Sequence, residues 1–191
     1  MIKRFLLLVL LIALAGCNLN TQDVRLQQQF ARYEAYYVSL FDNDRFISFS
    51  DAFDLEVVFT KLDSGYRYDV VIDNPKIAMY DIEIMVVEND TPFERADKMM
   101  PNLGIFESLE VNLVPYQVHT DKGFMKGVVV SGVVSVSVVE LKIMVAWKDY
   151  AKLNSTREFF IRNLDYDRIG QIGEENDDDI DFNGEEEEED E

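Results

Sequence analysis

From Leu55 to Ile161 apolar and polar residues take turns along the chain, and this period of two limits the fold more than any other feature. Successive side chains of a strand point to opposite faces, so each alternating segment buries one face and offers the other to water. Leu55, Val57 and Phe59 alternate with Glu56 and Thr60. Lys61-Leu62-Asp63-Ser64-Gly65 supplies turn chemistry, and Tyr66, Tyr68, Val70 and Ile72 then alternate with Arg67, Asp69 and Asp73. The pattern predicts a β-hairpin with one buried face, ended at Asn74-Pro75 because proline lacks the N–H a ladder needs.

A third strand is expected with Tyr80, Ile82, Ile84 and Val86 on one face and Asp81 and Glu83 on the other. Asn89 to Gly104 carries Pro92, Pro101 and mixed charge, and reads as a long loop of the kind that often has a function. Leu109, Val111 and Leu113 alternate again, and Pro115 closes that segment. The valine-rich stretch from Lys126 to Lys148 is too long for one strand. Val134, Val136 and Val138 share one parity, whereas Val139, Leu141, Ile143, Val145 and Trp147 share the other. A shift of one residue sends every side chain to the opposite face, so a bulge or turn is required near Val138. Thr156 to Arg162 is the last expected strand.

Ahead of the strands, Leu26, Phe30, Tyr33, Tyr37 and Leu40 recur at helical spacing. They predict an amphipathic helix over 21–41, with Thr21 as its N-cap and Asp23 in its first turn. Tyr33, Tyr36 and Tyr37 form a stripe that could stack on a sugar, although such a stripe is more often core. About seven short strands after one helix point to a mainly β chain: an antiparallel β-sandwich, immunoglobulin-like in outline, over residues 42–165.

The first residues obey different rules. Met1-Ile2-Lys3-Arg4 is a short positive start, and Phe5 to Gly16 is an apolar run of 12 residues. About 20 are needed to cross a bilayer, so residues 1–16 read as a signal peptide and not as a spanning helix. The run ends in Leu14-Ala15-Gly16-Cys17, which resembles the lipobox of bacterial lipoproteins. The resemblance covers only these 17 residues. It implies that a peptidase recognises Leu14, Ala15 and Gly16 and cuts before Cys17, whose sulfur carries a diacylglycerol. Membrane lipid then becomes a partner through acylated Cys17, and two or three chains hold firmly where one holds marginally. Residues 17–20 are left as a short tether. The protein is expected on the extracytoplasmic face of the membrane. In a cell with two membranes, Asn18 where an Asp would retain it at the inner one favours the outer.

The chain has 18 basic and 37 acidic residues, a formal charge of −19, which excludes nucleic acid as a natural partner because counterion release needs a basic face. Much of that charge is in Glu174 to Glu191, with thirteen acids and no base. Residues 166–191 therefore read as a disordered acidic tail. Asp177-x-Asp179-x-Asp181 hints at divalent cations, but the sixth position of an EF-hand loop would be Phe182 and not glycine. Asp42-x-Asp44 fails the same test at Ile47. Weak cation binding by the tail is the most this supports.

Catalytic signals are sparse. Cys17 is the only cysteine and is consumed by lipidation, and no Gly-x-Ser-x-Gly or phosphate-binding glycine loop occurs. His119, the only histidine, precedes the turn residues Asp121-Lys122-Gly123. No metal and no cofactor is expected. The sequence thus predicts a lipid-anchored binding or assembly module of the cell envelope, not an enzyme, with an envelope protein as a further partner. Two alternatives stand beside it. One is a small-ligand or cation binder using the Asn89–Gly104 loop or the tail; the other is a hydrolase of envelope polysaccharide using a carboxylate pair.

Overall fold

The computed structural model describes residues 2–168, with side chains from residue 22 onward. In chain order the elements are α1 (Ile2–Phe41), β1 (Asp54–Leu62), β2 (Gly65–Asp73), β3 (Tyr80–Glu88), β4 (Asn102–Leu103), β5 (Asn112–Leu113), β6 (Phe124–Met125), β7 (Val128–Val134), β8 (Val138–Lys148) and β9 (Ser155–Asp165). The chain is mainly β. One sheet has the order β1-β2-β7 and the other β4-β3-β8-β9, both antiparallel, while β5 and β6 form a two-residue parallel pair.

The hairpin follows the alternation closely, with Leu62 opposite Gly65 around Asp63-Ser64. Gly65 has φ +110°, and a Cβ there would lie 2.6 Å from the carbonyl oxygen of Val134, so the turn accepts only glycine without strain. The parity change expected near Val138 is a turn at residues 135–137. β7 buries Val128, Val130 and Val134, whereas β8 buries Val139, Leu141, Ile143, Val145 and Trp147. The faces swap because the chain leaves one sheet there and enters the other.

The inner faces of both sheets contribute to one apolar cluster, with Val70, Ile72 and Val130 from the first and Ile84, Ile143 and Phe160 from the second. The opposite face of β3 and β8 is covered as well. Met85, Val87, Met144 and Ala146 pack with Tyr33, Tyr36, Tyr37 and Leu40 of α1. Burial on two faces explains why Ile84-Met85-Val86-Val87 and Ile143-Met144-Val145-Ala146 read as unbroken apolar runs. The tyrosine stripe is core, as its spacing indicated.

Four expectations need correction. The helix does not begin at Thr21: it runs through that position from Ile2, in a stretch rich in Leu, Ala and Gln without proline. Leu26 and Phe30, expected on the packed face, are exposed, because the helix overhangs the sheet there. Of the segment Leu109 to Leu113 only Asn112–Leu113 forms a strand, and Leu109 is exposed. The Asn89–Gly104 segment is also no free loop. It contains β4, and its Phe93 and Met100 pack beneath α1, where the Met100 amide donates to the Tyr33 hydroxyl at 2.8 Å.

α1 ends where Lys142 reaches across from β8. Its Nζ donates to the Phe41 carbonyl at 3.1 Å, pairs with Asp90 at 2.5 Å and lies over the rings of Phe41 and Phe46. A cation at this terminus satisfies a carbonyl left open by the end of the helix and favours the helix dipole.

Candidate functional site

A cleft of about 550 Å³ opens where the overhanging part of α1 passes the start of β3, residues 104–111 and the adjoining ends of β8 and β9. Its polar groups come from strands whose outer faces change character midway. β3 presents Asp81 and Glu83 and then Met85 and Val87; β9 presents Arg157 and then Phe159. The apolar half lies under the helix and the charged half lines the cleft.

Glu83 is the hub. Arg32 Nη1 pairs with its Oε1 at 2.5 Å, and the Tyr36 hydroxyl donates to its Oε2 at 2.5 Å. Burial first, and then the bond to Glu83, pushes the Tyr36 phenol up to about 12, so it stays a neutral donor. The bond to Glu83 raises Arg32 above its ordinary value, against the opposing effect of burial. The guanidinium of Arg157 lies over the Tyr36 ring, 4.8 Å from its centroid. Such a contact holds the planar cation by one face and leaves its N–H edge open.

Asp81 sits beside the hub in a bulge of β3, at φ +49°, where the register against β8 shifts between Tyr80 and Glu83. The bulge turns its carboxylate to Lys148 at 2.9 Å and Lys152 at 2.7 Å, and Lys152 also reaches Glu110 at 2.6 Å. Burial acts to raise the Asp81 pKa, but the bonds from Lys152 and Lys148 outweigh it and hold the carboxyl below its usual range. A carboxylate depressed in this way stabilises the fold above the ordinary aspartate pKa and loses that contribution as pH falls through its lowered value. Asp81→Asn is therefore expected to lower stability near pH 7, where the wild-type carboxylate contributes, to change little in strong acid where that contribution is already lost, and so to flatten the acid limb of the profile below about pH 4. Urea midpoints measured between pH 2 and 7 check this; an unchanged acid limb would show that the bulge does not hold the charge.

No family model, curated protein or solved structure matches this chain. The site therefore has to be understood from its own chemistry.

Asp81 and Glu83 share the cleft, yet each has both oxygens engaged by cations or a phenol. A second polar group lies between the sheets: Tyr68 donates to Glu88 at 2.6 Å, and Lys98 pairs with the other Glu88 oxygen at 2.6 Å. His119 stands before a short 3₁₀ turn, Thr120–Lys122, and its amide bonds the Phe124 carbonyl. Asp42 and Asp44 are exposed beyond the end of α1. Among the described residues no three potential metal ligands gather, and no helix is long and apolar enough to cross a membrane. The side chains of Leu14, Ala15, Gly16 and Cys17, and the tail with Asp177, Asp179 and Asp181, lie outside the described residues.

Sequence reading placed Asp81 and Glu83 on a solvent face and did not single out Arg32, Lys98 or Arg157. The available signal was the switch from charged to apolar residues along one face of β3, which marks a face only half covered.

Proposed function

We propose that this chain is a lipid-anchored, extracytoplasmic binding or assembly module of a bacterial envelope, a β-sandwich of immunoglobulin-like outline that uses the cleft beside α1 as its binding surface. One observation carries this reading: the helix that leads from the lipobox-like residues also forms a wall of the cleft. An anchor on Cys17 would hold the cleft close to the membrane surface. Among the described side chains of α1, the first hydrogen bond to the β region is from Gln29 to the Phe106 carbonyl, at 3.3 Å. Gln29 stands twelve positions after Cys17, about 18 Å of helix at 1.5 Å per residue. On this reading the part of α1 between Cys17 and Gln29 would serve as the tether.

The small-ligand alternative gains support from the same cleft, and the Asn89–Gly104 loop loses its claim because its apolar side chains are packed under α1.

Metabolic labelling with palmitate tests the anchor. The wild-type chain is expected to take up label and to lose residues 1–16, while Cys17→Ala takes up none and stays uncleaved. A wild-type product that is unlabelled, or recovered uncleaved from cytosol, would overturn the proposal.

A further inference from the structure

We infer that the cleft binds the carboxylate of an acidic sugar and that the guanidinium of Arg157 recognises it. The inference rests on reading the cleft as the binding surface. Four cations line this space, and two of them are committed: Arg32 to Glu83 and Lys148 to Asp81. Arg157 has no ion-pair partner among the described residues. One of its faces is fixed on Tyr36, a ring that is itself buried and tied to Glu83. Its free edge is a preorganised fork of N–H donors, the geometry that matches a planar carboxylate with two parallel bonds.

The remaining lining narrows the ligand. Asp81, Glu83, Glu107 and Glu110 face the same space, and their charge opposes a phosphate dianion more than a single carboxylate. Gln28, Ser108 and Ser155 add amide and hydroxyl groups. Together with carboxylate acceptors they suit hydroxyls, which donate and accept at once. A peptide would need a free strand edge to pair with. The edge of β3 beside the cleft is taken, by Leu103 opposite Ile84 and by the Val111 carbonyl accepting from the Ile82 amide.

The full chain in detergent is titrated with D-glucuronate, D-glucose, glycylglycine and inorganic phosphate, and the amide and Arg side-chain resonances are followed. Glucuronate should bind saturably and about tenfold or more tighter than glucose, which lacks the charge-assisted bond, and also tighter than glycylglycine, which lacks the ring hydroxyls, and phosphate, whose charge the acidic lining opposes. Arg157→Gln should weaken glucuronate by about tenfold or more with no change in urea midpoint, and Arg157→Lys should restore only part of the loss. Equal binding of glucose, tighter binding of glycylglycine or phosphate, no binding of glucuronate, or an indifferent Arg157→Gln would each overturn the inference. Ser155→Trp, which fills the cleft, separates this failure from that of the broader reading. If it abolishes retention of the protein on isolated envelope material while glucuronate does not bind, the ligand class is wrong and the cleft stands. If retention is unchanged, the cleft reading itself falls.

Discussion

Replacing Gly132 by alanine is expected to lower the unfolding free energy by about 3 kcal/mol, a large effect for a single added methyl group. A Cβ at Gly132 would lie 2.2 Å from the Tyr68 hydroxyl and 2.3 Å from its Cζ. Surface side chains can swing away from such a clash, but Tyr68 is wholly buried and its hydroxyl is held by Glu88 at 2.6 Å. Moving the ring would break that bond and leave Lys98 as the remaining side-chain partner of a carboxylate that is only 6% exposed. Two penalties therefore combine, overpacking in a tight core and loss of a bond to a buried charge. Burial, and then the bond to Glu88, pushes the Tyr68 phenol far above its ordinary value, so it remains a donor at any ordinary pH. Trp147, the only tryptophan, is buried and reports unfolding in urea. Val129→Thr, on the exposed face of the same strand, should shift stability by less than about 0.5 kcal/mol. A Gly132→Ala variant as stable as that control would mean that β7 and Tyr68 do not approach so closely.

Local pattern was legible in the sequence, and spatial pairing was not. The hairpin of β1 and β2 could be read because its signal is contained within about twenty residues: two alternating runs and a turn between them. The break between β7 and β8 was legible for the same reason, since a change of parity is a local fact about Val138 and Val139 with a forced geometric meaning. By contrast, Glu88 reads as a polar residue at the end of a strand, and only the fold carries it between Tyr68, 20 positions before it, and Lys98. The cleft is more dispersed still, joining Arg32, Glu83 and Arg157 from a helix and two strands. No spacing rule links them, because each partner's place depends on how α1 crosses the sheet. The segment Leu109 to Leu113 misled because alternation shows only that a strand would have one apolar face. It does not say whether a neighbouring edge is free, and here Asn112–Leu113 meets β6 and Met79 while Leu109 lies outside the paired segment.

Truncation of Tyr37 to alanine should have the larger consequence for the cleft, although Tyr37 does not line it. The side chain is wholly buried among the residues that join α1 to β3 and β8, and it meets Phe93 edge to face at 5.3 Å. Its hydroxyl donates to the Thr91 carbonyl at 2.8 Å. Removing a buried aromatic ring costs about 3–5 kcal/mol, whereas Tyr37→Phe gives up only the hydrogen bond and should cost about 1 kcal/mol. Because α1 meets the β region through a short stripe beginning near Tyr33, a loss of the larger size is expected to release the helix before the sheets unfold. Amide exchange in residues 33–41 should then rise well above that in β2 and β8. Arg32 and Tyr36 would leave the cleft, and Arg157 would lose the ring that holds it. The same junction should weaken in alkali. Burial raises both Tyr36 and Tyr37 from 10.0 to about 12, so their neutral forms stabilise the docked helix fully below pH 10. That contribution declines as pH climbs from 10 toward 12, and Tyr37→Phe should shrink the decline. If Tyr37→Ala proved no worse than Tyr37→Phe, the helix would be held by something other than its tyrosine stripe. The cleft could then not depend on the docking of α1 in the way its geometry indicates.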